Sequence, residues 1–356
     1  MSNLSDLLGG TISSLNDLGG ATYSSSDPAT DTNPSATGEL WVNTTSGETY
    51  ICTDATAGAN IWTNVGDGLD AVELIKWYGD RGVWGGGYST NNTLDYISIS
   101  TTGNATDFGN LTVGRQHPAS CSNSTRGVWS GSGGYNTIDY ITFASTGNAT
   151  DFGDLSATTY YSSGCSNDTR GLVSFGSISN ALEYITIATT GNAIDFGDLS
   201  VNRYYTGSCA DPTRGVWAGG GFYTDVIDYV TIATTGNATD FGNLTVAAFG
   251  VAACSHATRG VISGGDPTSG GSPESNIIQY ITIATTGNAT DFGDLTRVLK
   301  QHGACADGSR GVFGGGFGQS NTYNNIDYIA IDSTGNSTDF GDLTVARYNV
   351  SACSGD

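Results

Sequence analysis

From Arg81 onward, short apolar runs and polar turns recur with a period of about 45 residues, and this recurrence organises most of the chain. Six copies are present. Each reads "RGVWGGG", a variable stretch, "IDYITIATTGNATDFGDL", and a segment ending near "AxCS". The apolar runs are short and bounded by Gly, Asn, Ser and Thr, which predicts strands and leaves little room for helices. Four strands are expected per copy: A in the segment ending "SACS", B in "RGVWGGG", C in "DYITIA" and D in "ATDFGDL". Strand C is apolar on both faces, as a strand packed between two neighbouring sheets must be. The Gly-Asn pairs between C and D (Gly103-Asn104, Gly147-Asn148, Gly191-Asn192, Gly236-Asn237, Gly287-Asn288, Gly335-Asn336) have the chemistry of a two-residue hairpin turn.

The spacing separates what is constrained from what is free. From the strand C tyrosine (Tyr96, Tyr140, Tyr184, Tyr229, Tyr280, Tyr328) to the strand D phenylalanine is always 12 residues, from there to a cysteine 13, and from cysteine to the next arginine 5. Only the arginine-to-tyrosine interval varies, taking 15, 14, 14, 15, 21 and 18 residues, so length tolerance is confined to the B–C loop. Cysteines stand before the arginines of copies two to six, whereas Lys76 occupies that place before Arg81. The missing strand A appears at the other end, as "RYNVSACS" carrying Cys353. The expected fold is therefore all-β: a six-bladed β-propeller of four-stranded blades, closed by pairing of the C-terminal strand with strand B of the first blade. An open β-solenoid is the alternative.

The order of arginine, apolar strand ending in Gly-Gly, loop, "D/E-x-Y" and "L-x-V-x-R" resembles the Kelch repeat over roughly residues 72 to 356. Double glycines stand at Gly85-Gly86, Gly219-Gly220, Gly264-Gly265 and Gly314-Gly315, and strand A is opened by Arg115, Arg203 and Arg347. Phe replaces the strand D Trp that Kelch repeats favour, and copy three lacks the double glycine. The resemblance implies propeller architecture.

The first seventy residues differ in composition, with nine acidic residues and no Lys or Arg. Residues 1–23 read as a docking segment in which Leu4, Leu7 and Leu8 are the apolar contacts, too short to be stable alone. Residues 24–37 read as a linker, and residues 38–70 as a small module of three strands carrying Trp41, Tyr50 and Trp62. The propeller is assigned residues 71–356. The string "G-x-LWVN... Y-x-C... W" resembles small modules of bacteriophage tail and virion fibre proteins, and the "TGNATDFGDL" repeats look like those of marine phage structural proteins.

Charge narrows the partners. Against 34 Asp and Glu stand 12 Lys and Arg, a net charge of -22. Nucleic acid and anionic lipid surfaces are excluded as partners, because both are recognised through basic residues. No apolar run approaches the ~20 residues of a membrane-spanning helix, and the N-terminus lacks the pattern of a secretion signal.

Candidate chemistry is sparse. The repeated arginines Arg81, Arg126, Arg170, Arg214, Arg259 and Arg310 read as structural forks, with Asp107, Asp151, Asp195, Asp240, Asp291 and Asp339 as available partners. The strand A cysteines read as small buried hydrophobes without disulfides. His117, His256 and His302 fall at different repeat offsets, which places them by chance on the surface. No cofactor is expected; the "TDFGDL" acids leave calcium as the one metal to consider. No set of polar residues breaks the repeat as a catalytic pocket would, so enzyme activity is not expected. The variable B–C loops bring Tyr88, Tyr135, Phe222, Tyr223, Phe317 and Tyr323 to one rim, a candidate ligand surface suited to sugars. These readings, with the phage resemblance, predict a bacteriophage virion structural protein (tail fibre, spike or capsid decoration). Its N-terminal segment would contact other virion proteins, its propeller would meet a host-surface glycan, and it would be homo-oligomeric in the particle. A bacterial extracellular adhesin is the alternative, and a propeller enzyme a distant third.

Overall fold

A computed structural model describes residues 21–29, 34, 36–66, 79–89, 91–177, 179–267 and 274–355. The docking residues Leu4, Leu7 and Leu8 and residues 268–273 of the fifth B–C loop lie outside the described residues. The chain divides into two compact units, Met1–Lys76 and Trp77–Asp356. Every described regular element is a strand.

In the first unit four strands form one sheet, in the order Thr22–Ser24, Leu40–Asn43, Thr49–Asp54, Ile61–Gly66. The first pairs parallel to the second, Thr22 opposite Trp41. The expected three-stranded module thus gains a strand from residues assigned to the docking segment and linker. Side chains hold the connecting segment down: Trp41 Nε1 donates to Ser26 O (2.8 Å) and Asn43 Nδ2 to Asp27 Oδ1 (2.7 Å). Trp41 meets Trp62 edge-on at 5.9 Å. Such ring contacts matter in a sheet whose fully buried apolar residues are few, Val42 and Cys52 among them.

The second unit is built of six four-stranded antiparallel sheets in a propeller-like arrangement. Sheet two contains Ala119–Ser122, Arg126–Ser132, Tyr135–Thr142 and Thr150–Thr159; sheet three Ser163–Ser166, Arg170–Ser174, Ala181–Thr186 and Ile194–Asp198. Sheet four contains Gly207–Ala210, Arg214–Ala218, Val226–Thr231 and Thr239–Asn243; sheet five Ala252–His256, Arg259–Ser263, Ile277–Thr282 and Thr290–Asp294. Sheet six contains Gly303–Ala306, Arg310–Gly314, Asn325–Ala330 and Thr338–Asp342. Sheet one joins Arg81–Gly85, Thr93–Ser98 and Thr106–Asn110 to the C-terminal Ser351–Gly355, with Cys353 opposite Val83.

The core lies between sheets. Trp84, Trp129 and Trp217, on the B strands of sheets one, two and four, are fully buried. Trp84 Nε1 donates to Gly303 O of sheet six (3.3 Å), and a Cβ on Gly314 would come within 2.8 Å of the same nitrogen. Glycine on a strand here makes room for a neighbour's ring. Each strand C tyrosine meets its strand D phenylalanine edge-on at 5.8–6.0 Å, from Tyr96 with Phe108 to Tyr328 with Phe340.

The strand A cysteines are free and buried, each facing a glycine of the following sheet. A Cβ at Gly127 would lie 3.0 Å from Cys353 Sγ, at Gly215 2.9 Å from Cys165 Sγ, and at Gly82 2.9 Å from Cys305 Sγ. Burial pushes the thiols of Cys121 and Cys209 up to about 12.

The C–D connection is not the two-residue turn that Gly-Asn suggests. In sheet one the strands end at Ser98 and resume at Thr106, and the tight turn is made by Thr101 N on Ser98 O (3.2 Å). The Gly-Asn step serves the neighbouring sheet instead. Gly147 N donates to Phe108 O (2.8 Å), Asn148 Oδ1 accepts from Asn110 N (3.1 Å), and a Cβ on Gly109 (φ +147°) would collide with the Gly147 carbonyl. Glycine is required because two backbones touch there.

Candidate functional site

The repeat arginines are structural, but their partners differ from those expected. Each lies over the tyrosine of its own strand C, from Arg170 over Tyr184 at 4.6 Å to Arg81 over Tyr96 at 4.8 Å, a cation–π contact. Each also donates to a carbonyl of the following sheet: Arg126 Nη1 to Ala188 O (2.8 Å), Arg214 Nη1 to Ile283 O (2.9 Å), Arg310 Nη1 to Ile99 O (3.0 Å). The acids Asp107, Asp151, Asp195, Asp240, Asp291 and Asp339 are exposed. Strand alternation explains the error: the neighbouring Phe is buried, so the Asp points the other way.

Buried ion pairs use a different acid, the one preceding the strand C tyrosine. Arg115 Nη2 lies 2.8 Å from Asp139 Oδ2, Arg203 Nη2 2.8 Å from Asp228 Oδ2, and Arg347 Nη2 2.9 Å from Asp95 Oδ2, each pair almost solvent-free. These pairs lie beneath the surface formed by the D–A and B–C loops. They anchor three of the D–A segments, two of which continue into Tyr204 and Tyr348.

The histidines are not surface residues. His117, His256 and His302 are all buried, and burial pushes His117 and His302 down to about 4, so both are neutral. His117 Nδ1 bonds Ser162 O (2.9 Å) and His302 Nε2 bonds Ser263 Oγ (2.8 Å). Small-residue strands A leave room around them. Among the described residues no three His, Cys, Asp or Glu converge as metal ligands do.

His117 also belongs to a feature that the repeat spacing conceals. His117, Tyr161, Tyr205, Gly250, Gln301 and Asn349 each stand four residues before a strand A cysteine, and all take positive φ, from 51° to 76°. Their backbones bond in succession: Gly250 N to Tyr205 O (3.1 Å), Gln301 N to Gly250 O (2.7 Å), Asn349 N to Gln301 O (2.9 Å) and His117 N to Asn349 O (2.6 Å). Tyr161 departs, its N taken by Ser132 Oγ (2.8 Å). Beneath this ring a chamber of ≈ 60 Å³ is lined by His117, Ser162, Thr206, His302 and Ser351, among others.

The six candidate rim residues do not share one set of ring contacts. Tyr88 is 55% exposed and stacks on Tyr348 at 4.7 Å, with Phe317 5.3 Å from the same ring. Phe222 and Tyr223 belong to a second cluster, Phe222 at 5.9 Å from Tyr204 and Tyr223 at 5.7 Å from Phe249. Tyr135, partly exposed, begins a strand rather than lying in a loop. Tyr323 is half-buried beneath Arg297, 5.1 Å from its ring centre.

The second cluster is continuous. Tyr204 contacts Tyr161 (6.1 Å), Tyr205 (5.7 Å) and Phe249 (6.0 Å), Tyr205 stacks on Tyr161 at 4.2 Å, and Tyr160 extends the chain of rings. Most of these residues lie on D–A segments, which B–C loop reasoning leaves out. The doublets Tyr160-Tyr161 and Tyr204-Tyr205, each just before strand A, were the available signal.

Compared with known proteins, the chain matches no family model, and no curated protein matches it.

Proposed function

We propose that Trp77–Asp356 is a closed six-bladed, Kelch-like β-propeller serving as a non-catalytic adhesion domain of a bacteriophage virion protein: a tail fibre, spike or capsid decoration. The closed reading is supported by the joint between sheets six and one, which uses the same groups as the others. Arg310 reaches Ile99 O (3.0 Å), Asn104 Oδ1 accepts from Asp342 N (3.1 Å), and Cys305 faces Gly82. An open array would leave those groups facing water at both ends.

The observation that carries the adhesive reading is the aromatic surface itself. Phe222 and Tyr160 are 78% and 40% exposed, and Arg203, buried against Asp228, holds both ends of the Phe222 loop by donating to Gly219 O and Val226 O. Exposed rings on variable loops over a repeated scaffold form binding surfaces. The virion placement rests on the sequence resemblance, with residues 1–20 docking onto capsid or tail proteins and the propeller meeting a host-surface glycan.

Deleting residues 1–20 tests the placement: the truncated chain should remain folded yet be lost from purified particles, and retained incorporation would refute the anchor. Removing residues 346–356 tests closure. It deletes strand A of sheet one and the Arg347–Asp95 pair, so an unchanged melting temperature would refute the ring.

A further inference from the structure

We infer that the glycan site is localised at the corner between Tyr204 and Phe222, on sheets three and four, and that its ligand is a neutral glycan. This rests on the adhesive reading above and goes beyond it in place and ligand class.

Three observations converge on that corner. The first is continuity: the rings around Tyr204 form one connected surface, whereas the Tyr348 cluster joins only Tyr88 and Phe317. The second is orientation. The Phe222 ring stands at 79° to that of Tyr204, 5.9 Å away, giving two apolar planes at nearly a right angle. A pyranose offers an apolar C–H face and an apolar edge, and such a corner meets both. Tyr204 is held in place because its ring lies against Gly221, where a Cβ would clash with it.

The third is backbone strain. Phe222 and Tyr223 take φ of +66° and +53°, two successive bulky residues in a left-handed conformation. Sheet two uses Gly133 and Gly134, at +67° and +90°, in its corresponding turn. Glycine relieves that conformation and aromatic residues do not. Phe222 is also the most exposed large apolar side chain described, at 78%. A residue that opposes folding by both strain and exposure is held for what its ring contacts.

Charge selects the ligand class. The net charge is -22, and the described cations near the loop face are engaged within the protein. Lys300 is held by Asp266 (2.9 Å) and Glu274 (3.4 Å), Arg203 is buried against Asp228, and Arg297 donates to Asn325 Oδ1 (2.7 Å). A sialylated or sulfated chain would meet repulsion without a partner. A neutral glycan needs only stacking and neutral hydrogen bonds, and Asn202 and Thr224 stand on the two loops concerned.

The test is a glycan array carrying neutral and acidic glycans, probed with the intact protein and with Phe222→Gly, Phe222→Trp and Tyr88→Ala. We expect binding to neutral glycans. Phe222→Gly should weaken it roughly tenfold or more, as truncating an aromatic anchor does, while its melting temperature stays level or rises because strain is relieved. Phe222→Trp should retain binding, and Tyr88→Ala should change it by less than about twofold, since only hot-spot truncations weaken binding strongly. Loss in Tyr88→Ala with Phe222→Gly intact would overturn the location while leaving the adhesive reading standing. Binding restricted to acidic glycans would overturn the ligand class. No glycan binding by the intact protein would overturn this inference and the adhesive reading together.

Discussion

The Arg203–Asp228 pair permits a quantitative test, because the molecule contains its own neutral counterpart. Both side chains are solvent-free, with Nη2 and Oδ2 2.8 Å apart, and Asp228 also accepts from Ser200 N (3.2 Å) and Ser200 Oγ. Either single variant, Arg203→Leu or Asp228→Gln, strands one unpaired partner in the interior, at a cost of about 3–5 kcal/mol. In sheet five the same two positions are Ala248 and Gln279, with Gln279 Oε1 accepting from Thr245 N (2.8 Å) and Thr245 Oγ1 (2.9 Å). Sheet five thus keeps the loop-to-strand bonds without any charge. The double variant Arg203→Leu/Asp228→Gln should therefore cost no more than about 1–2 kcal/mol, because a buried pair exchanged for neutral groups of similar volume is nearly neutral in stability. The coupling between the sites would then be at least about 4 kcal/mol. Thermal unfolding of the four proteins measures it, at roughly 2 °C per kcal/mol for a domain of this size. A double variant whose loss equals the sum of the single losses would refute the argument.

Two further outcomes follow from the same packing. His117 and His302 have folded values near 4, below the usual 6.5 of an unfolded chain, so the unfolded state takes up protons first. Their stabilising contribution is complete above pH 6.5 and is lost as pH falls from there toward 4; melting temperatures between pH 7.5 and 5 should decline, and a His117→Phe/His302→Leu variant with an undiminished slope would contradict this. Gly260→Ala places a Cβ 2.7 Å from Cys209 Sγ and should destabilise the joint between sheets four and five, by about 1–3 kcal/mol as overpacking does. Cys209→Ala in the same chain should recover much of that loss, and an equal loss with and without the cysteine would show that the contact is not what glycine serves.

The strands were legible because a repeat states each local rule six times. The short apolar runs, the constant spacing from Tyr96 to Phe108 to Cys121, and the single variable interval all reflect local geometry, and the six four-stranded sheets follow it. What sequence reading missed lies between sheets. Gly103-Asn104 has the composition of a hairpin turn, yet its task is to meet the backbone of strand D of sheet six, where Asn104 Oδ1 accepts from Asp342 N. Asp107 looked like a partner for Arg81 because both recur, whereas Arg81 donates to the carbonyl of Phe143 on sheet two. Periodicity shows that a residue is needed in every copy; it does not reveal that the need arises across the boundary to the next one.

The same limitation bears on the proposed ligand surface. A symmetric scaffold can be read from what its copies share, but a ligand site must break the symmetry, and the break occurs here where consensus is weakest. Position four before the strand A cysteine is left-handed in all six copies, yet its occupants are His117, Tyr161, Tyr205, Gly250, Gln301 and Asn349. One backbone requirement is thus met by five different residue types in six copies. Glycine would satisfy the geometry at every one of these positions, so the choice of side chain is not dictated by the turn. Copies three and four place tyrosine there and add a second tyrosine immediately before it, which joins Tyr160 and Tyr204 to the surface carrying Phe222. The tyrosine doublets fall on adjacent sheets rather than scattered, and that concentration supports the proposed site over drift among equivalent loops.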